Sequence, residues 1–201
     1  MWTLRSSPPS PFGRKVKIGA DVCGLTDRIN IEKADTADPS DSLRGQNPLG
    51  KIPALITEDG MVLFDSRVIL EFLDMEAGGG VIIPRSGRER IEALRLQAIG
   101  DGIMDANILV IYEGRFRPEE KHHAPWLEYQ GEKVKRALAE LEASPPALNG
   151  TPNVGHITLA CALGHRDFRF KGDWREGNPR LVEWLAAFDA AVPSYAATAP
   201  H

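Results

Sequence analysis

Apolar positions in the first third of the chain switch between two rhythms. Residues 2–6 (WTLRS) have the composition of a strand, and residues 28–32 (RINIE) alternate polar and β-branched side chains as a half-buried strand does. Between them, residues 13–24 (GRKVKIGADVCG) carry Val16, Ala20 and Cys23 at helical spacing and stop at Gly24, a suitable C-terminal cap. PALIT, EDG and MVLF, spanning residues 53–64, read as a hairpin turned at Asp59-Gly60. DSRVILEFLDMEA then opens on a capping-type Asp65-Ser66 and gathers Val68, Ile69, Phe72 and Leu73 on one face. The predicted order is β-α-β, a connection, then β-β-α, with the first unit parallel and right-handed.

After residues 78–87 (GGGVIIPRSG), a linker by composition, only the helical period remains. Ile91, Leu94, Ala98, Ile99, Ile103, Ala106 and Val110 repeat at three-to-four spacing within residues 88–113, and Trp126, Tyr129, Val134, Leu138 and Leu141 do so within 125–143. Pro145-Pro146 and Asn149-Gly150 interrupt the pattern. Residues 153–164 (NVGHITLACALG) are apolar almost all round, which predicts a central, buried helix, and a last helix over 179–191 starts at Pro179, a favoured first-turn residue. The expected organisation is an α/β domain over 1–77, a linker over 78–87 and a helical bundle over 88–201.

Composition narrows the function classes. A net charge of −4 and a pI near 5.8 disfavour a nucleic-acid-binding surface. No run of about 18 apolar residues predicts a membrane span, and MWTLRSSPPSPFGRK lacks the basic-then-apolar order of a secretory signal. Two distant cysteines, Cys23 and Cys161, each within an apolar stretch, read as buried thiols in a reducing cytoplasm. The histidines, including the adjacent His122-His123, show no metal-ligand spacing.

Three segments carry candidate chemistry. Ser10-Pro11 opens a helix after a strand, where unpaired N–H groups and the helix dipole favour an anion. The same pair also makes an ordinary cap with proline at the first helical position. In NPLGKIPAL (47–55), Ile52-Pro53 precedes a strand; a cis bond there would free the Ile52 N–H and C=O to pair with a peptide-like ligand, and a trans bond would make it a plain strand start. Asp65-Ser66 brings an acid, a hydroxyl and helix N–H groups together, fit for an ammonium and a carboxylate or for a cap alone. All three lie at one end of one α/β unit, where ligands of such folds bind.

Together S-P-F-x-R-K, N-P-L-G-K-I-P-A-L and F-D-S-R-V-I-L-E-F-L, followed by an all-helical half with GDGIMDA (100–106) and LACALGHRDFR (159–169), resemble the glutathione S-transferase family over nearly the whole chain. The resemblance implies a thioredoxin-like βαβ-ββα domain followed by an α-helical domain, with glutathione as co-substrate and no metal. Ser10 would hydrogen-bond the glutathione sulfur and Phe12 would line the pocket beside it. Ile52 would pair with the cysteinyl unit, Pro53 would be the cis-proline, Asp65 and Ser66 would bind the γ-glutamyl amine and carboxylate, and Lys51 would face the glycyl carboxylate. A hydroxyl in place of a redox cysteine cannot form a mixed disulfide, but it stabilises a ligand's thiolate. One hydrogen bond to a charged group, about 1.5–3 kcal/mol, lowers a thiol pKa by roughly one to two units. The implied activity is detoxifying transfer of glutathione to a small hydrophobic electrophile in a cytoplasmic homodimer, without nucleic-acid or membrane partners. The alternative is a non-catalytic glutathione-binding or regulatory protein that kept the fold.

Other expectations are local. Ser6 and Ser7 precede the helix start and are weaker candidates than Ser10, and no cysteine is expected beside it. Asp101 and Asp105 share a helix face and are expected to be solvated unless they meet bases at the cleft. Arg14 and Lys15 suit surface or interdomain ion pairs. Tyr112, Phe116 and Phe168 serve either an apolar second-substrate wall or the core. Asn153-Val-Gly-His156 keeps a cap but lacks the reciprocal acid of a capping box, a loss on the order of 1 kcal/mol.

Overall fold

The computed structural model describes residues 1–200. Four strands, β1 (Trp2–Ser6), β2 (Ile29–Lys33), β3 (Ala54–Ile56) and β4 (Val62–Leu63), form one sheet in the order β2-β1-β3-β4. β1 runs parallel to β2, across helix α1 (Pro11–Val22), and antiparallel to β3, while β3 and β4 make the hairpin turned at Asp59-Gly60. A short α2 (Leu43–Gln46) precedes β3, and α3 (Ser66–Glu76) follows β4. The sheet edge at β2 is largely exposed rather than half-buried, with Ile31 facing outward.

The helical half comprises α4 (Gly87–Phe116), α5 (Ala124–Ala143), α6 (Val154–Phe170), α7 (Pro179–Ala191) and a terminal turn α8 (Ser194–Ala197). As its all-round apolarity predicts, α6 is the buried centre: every residue from Val154 to His165 is buried, and its small residues let α1 and α4 approach closely. A Cβ added at Gly164 would stand 2.5 Å from both Arg14 Nη1 and Tyr195 Oη, and one at Gly100 would stand 2.8 Å from Thr158, so glycine is what permits both contacts. One hydrophobic core runs without a break from Trp2 and Leu4 of the sheet through Val16 and Ile18 of α1 to the helical half.

Several sequence expectations are corrected here. Val68 faces outward from α3, and Phe72 is only half-buried, edge-on to Trp2. Cys23 itself caps α1, with Gly24 in the left-handed region just beyond. The α6 capping box is complete, because Asn153 Oδ1 accepts from the Gly155 and His156 N–H groups while His156 Nδ1 accepts from Asn153 N–H at 3.2 Å. A neutral imidazole nitrogen is an acceptor, so it replaces the missing acid. The glycine-rich stretch after α3 is tightly held: one carboxylate, Asp74, accepts the N–H groups of Gly80, Val81, Ile82 and Ile83 at 2.8–3.1 Å. Ile82 and Ile83 are buried in the core, and Val154 N–H of α6 donates to Ile82 C=O.

Candidate functional site

Strand register gathers the three candidate loops at one edge of the sheet. Arg5 of β1 pairs with Ala54 of β3, which sets the end of β1 beside the Ile52-Pro53 segment. Leu55 pairs with Leu63, which brings the end of β4, and hence Asp65, to the same edge. The Ile52-Pro53 bond is cis, and neither the Ile52 N–H nor its C=O has a backbone partner among the described residues. Lys51 is exposed beside it, and its own carbonyl is held by Asn47 Nδ2 at 2.8 Å.

Ser10 is the N-cap of α1, as its position predicts. Its Oγ accepts the Gly13 N–H at 3.1 Å, and its N–H donates to Ser7 C=O. That leaves the hydroxyl with one acceptor site and its own proton. Ser6 is buried behind it, its Oγ pressed against Gly13 so closely that a Cβ there would collide. Phe12 is half-buried against the core.

Asp65 caps α3 by accepting the Arg67 N–H at 3.0 Å and forms an exposed ion pair with the Arg67 guanidinium at 2.8 Å. Burial pushes the Asp65 carboxyl up, but the hydrogen bonds and charge of Arg67, helped by Lys15, outweigh it and hold it below its ordinary value. Ser66 is buried at the first turn of α3.

Asp101 is not solvated. It is 5 % exposed and binds Lys15, itself 0 % exposed, at 2.7 Å across the junction of α4 and α1. Burial draws both groups toward their neutral forms, raising the carboxyl and lowering the amine, while each partner opposes the shift in the other. Asp101 Oδ2 has no hydrogen bond and faces Arg67 Nε at 3.9 Å. Asp105, one turn on, is exposed; desolvation raises its carboxyl, against the charges of Arg67 and Lys51. Arg14 is buried too: its guanidinium donates to Tyr195 C=O at 2.5 Å and covers that ring at 3.9 Å.

Two hollows adjoin these elements and share no lining residue. A cavity of about 10 Å³ beside Ser10 is walled by Arg14, Cys161 and His165 as well as by prolines. A cysteine therefore does lie near Ser10, contrary to expectation. It comes from α6, and burial pushes its thiol up to about 11, so it stays protonated. A groove of about 750 Å³ between α4 and α5 is lined by Leu109, Tyr112, Phe116 and Trp126 with Arg117 and His123 on its rim. Tyr112 and Phe116 meet edge to face there, while Phe168 stands exposed on α6 outside both hollows. Leu109 is eight residues beyond Asp101, so the groove begins about 12 Å further along α4. Among the described residues no three His, Cys, Asp or Glu side chains converge into a metal-ligating group, and no helix is long and apolar enough to cross a membrane.

Residues 9–76 match the family model for the N-terminal domain of glutathione S-transferase, and residues 115–187 match the model for its C-terminal domain. The chain is 34% identical over 184 residues to an uncharacterized GST-like protein, YibF, of Escherichia coli, covering 90% of each. It belongs to the glutathione S-transferase family. A glutathione transferase family member from Pseudomonas fluorescens, solved with bound glutathione, superposes over 100% of both chains at 42% identity with a TM-score of 0.93. A glutathione S-transferase from Methylobacillus flagellatus with glutathione bound does so over 100% of both at 34% and 0.89. Membership accounts for the mixed sheet with its thioredoxin-like order and for the helical half packed on it. The fold brings Ser10, Ile52, Pro53 and Asp65 to one edge, with Lys51 and Ser66 adjoining. The buried Lys15–Asp101 pair and the α6 wall of the Ser10 cavity lay beyond sequence reasoning, because their partners are remote along the chain. The four-residue spacing of Cys161 and His165 on a buried helix was the one available signal.

Proposed function

We propose that this member of the family is a glutathione transferase that binds glutathione along the three-loop edge and presents its sulfur as a thiolate to a small hydrophobic electrophile. The observation carrying this reading is the Ser10 hydroxyl at the head of α1, with Gly13 N–H on one lone pair and its proton uncommitted. Relatives of the same fold that were solved with glutathione support it. The tripeptide's cysteinyl unit pairs with the open Ile52 N–H and C=O beside Pro53. The γ-glutamyl ammonium meets Asp65, its carboxylate meets Ser66 and the N–H groups of α3, and Lys51 faces the glycyl carboxylate. Phe12 closes the side of the sulfur.

Ser10 O–H donates to the sulfur, and the positive end of α1 adds about 0.3–1 kcal/mol for the anion. The thiol proton leaves to water, a carbon–sulfur bond forms, and an aryl halide loses its halide. We place the protein in a reducing cytoplasm as a two-fold homodimer, which the outward Val68 and Met75 of α3 support.

Ser10→Ala tests the reading. With an activated aryl chloride, kcat/KM should fall about 10- to 150-fold, the equivalent of a hydrogen bond to a charged group, while calorimetry still detects glutathione binding. Wild-type turnover at the uncatalysed rate, with glutathione bound, would instead favour the non-catalytic binding or regulatory protein.

A further inference from the structure

The cavity beside Ser10 measures about 10 Å³, close to the least room that one water needs. His165 forms part of its wall from α6 and is 4 % exposed. The tautomer of this imidazole is readable from its neighbours. Arg166 Nη1 donates to Asn107 Oδ1 at 2.6 Å, and Asp173 holds Arg166 in turn through Nε at 3.1 Å. The amide of Asn107 is thereby oriented, and its Nδ2 faces His165 Nδ1 at 3.5 Å, the long end of hydrogen-bonding range. An amide nitrogen only donates, so Nδ1 accepts and the ring proton sits on Nε2. No described residue bonds Nε2. Nε2 is not shut off from solvent, and the hollow that His165 shares with Ser10, though walled largely by prolines, has room for one water to meet it.

We propose that His165 is a positioning residue for Ser10, its Nε2–H donating through one water in the shared cavity to Ser10 Oγ. This rests on the transferase reading above. With Gly13 N–H on one lone pair and that water on the other, the hydroxyl has no acceptor capacity left, and its own proton points outward to the sulfur. Burial first, then the charges of Arg169 and Arg166, push the imidazole down to about 4, so it is a neutral donor at neutral pH rather than a base. The other charged or titratable groups around it are Arg14 from α1, which also walls the cavity, and the protonated Cys161.

The test reads the ultraviolet absorbance of bound glutathione thiolate against pH in the full chain. His165→Ala should raise the bound thiol pKa by about one unit and cut kcat about tenfold at neutral pH, with the glutathione Kd within about twofold. His165→Gln, which keeps an N–H₂ at the end of the side chain, should retain most of both. Asn107→Asp leaves the imidazole in place but accepts from Nδ1–H, turning Nε2 into an acceptor, and should reproduce the alanine shift. It carries the test if His165→Ala does not fold. An unmoved thiol pKa in His165→Ala and Asn107→Asp, with Ser10→Ala still raising it, would overturn the role of His165 alone. A shift in His165→Ala without one in Asn107→Asp would overturn the tautomer-set donor. An unmoved value in Ser10→Ala as well would bring down the transferase reading itself.

Discussion

Two ion pairs of nearly equal length face each other across a few residues and live in different media. At the seam where α1 meets α4, Lys15 and Asp101 stand 2.7 Å apart with almost no access to water. At the rim where α3 begins, Asp65 and Arg67 stand 2.8 Å apart with more than half of each side chain exposed. Distance alone does not rank them. In the seam, removing one partner strands a charge where water cannot reach it, at about 3–5 kcal/mol, whereas an exposed pair contributes about 0–1 kcal/mol. The seam fixes where α1, and so Ser10, sits against the helical half. The rim exchanges partners at little cost, which suits the proposed seating of glutathione's ammonium and carboxylate there.

The contrast breaks most visibly at Lys15. Lys15→Met should lower stability by about 3–5 kcal/mol in urea unfolding, and the joint Lys15→Met, Asp101→Leu variant should regain most of it, since an apolar pair avoids both desolvation costs. A loss below about 1 kcal/mol would mean that water reaches the seam. Next comes acid. His165, on the α6 side of the same region, titrates near 4 folded against an ordinary 6.5, so the unfolded chain takes its proton first. Its contribution is intact above pH 6.5 and drains away as pH falls toward 4, on the order of 3 kcal/mol in all, with the lowered His156 adding in the same direction. His165→Gln should flatten that limb of the stability–pH curve; an identical limb in the variant would assign the loss elsewhere. The smallest effect belongs to the rim, where Arg67→Ala should lower the unfolding free energy by no more than about 1 kcal/mol, because its carboxylate partner is already hydrated.

What could be read along the chain follows the same division. The helix over 179–191, the Asp59-Gly60 hairpin and the buried helix from 153 rest on local periodicity and turn chemistry, and they stand where those rules put them. Ser10 and Asp65 were likewise legible as helix starts. Asp101 was not, because its burial depends on a lysine 86 positions away, and no local rule states that pairing. The proximity of Cys161 and His165 to Ser10 has the same long-range origin. His156 misled for a chemical reason instead: the capping-box pattern looks for an acid, and an imidazole nitrogen accepts as well.

Asp74 has a consequence for how the molecule flexes. Three consecutive glycines look like a hinge, yet the carboxylate that gathers the amide of the last of them and of the three residues beyond acts as a rivet, and the bond from α6 to Ile82 fastens the far side. The two halves therefore keep a constant angle at that point. Under the proposed function, adjustment to electrophiles of different shape falls to side chains around the site, not to one half swinging on the other.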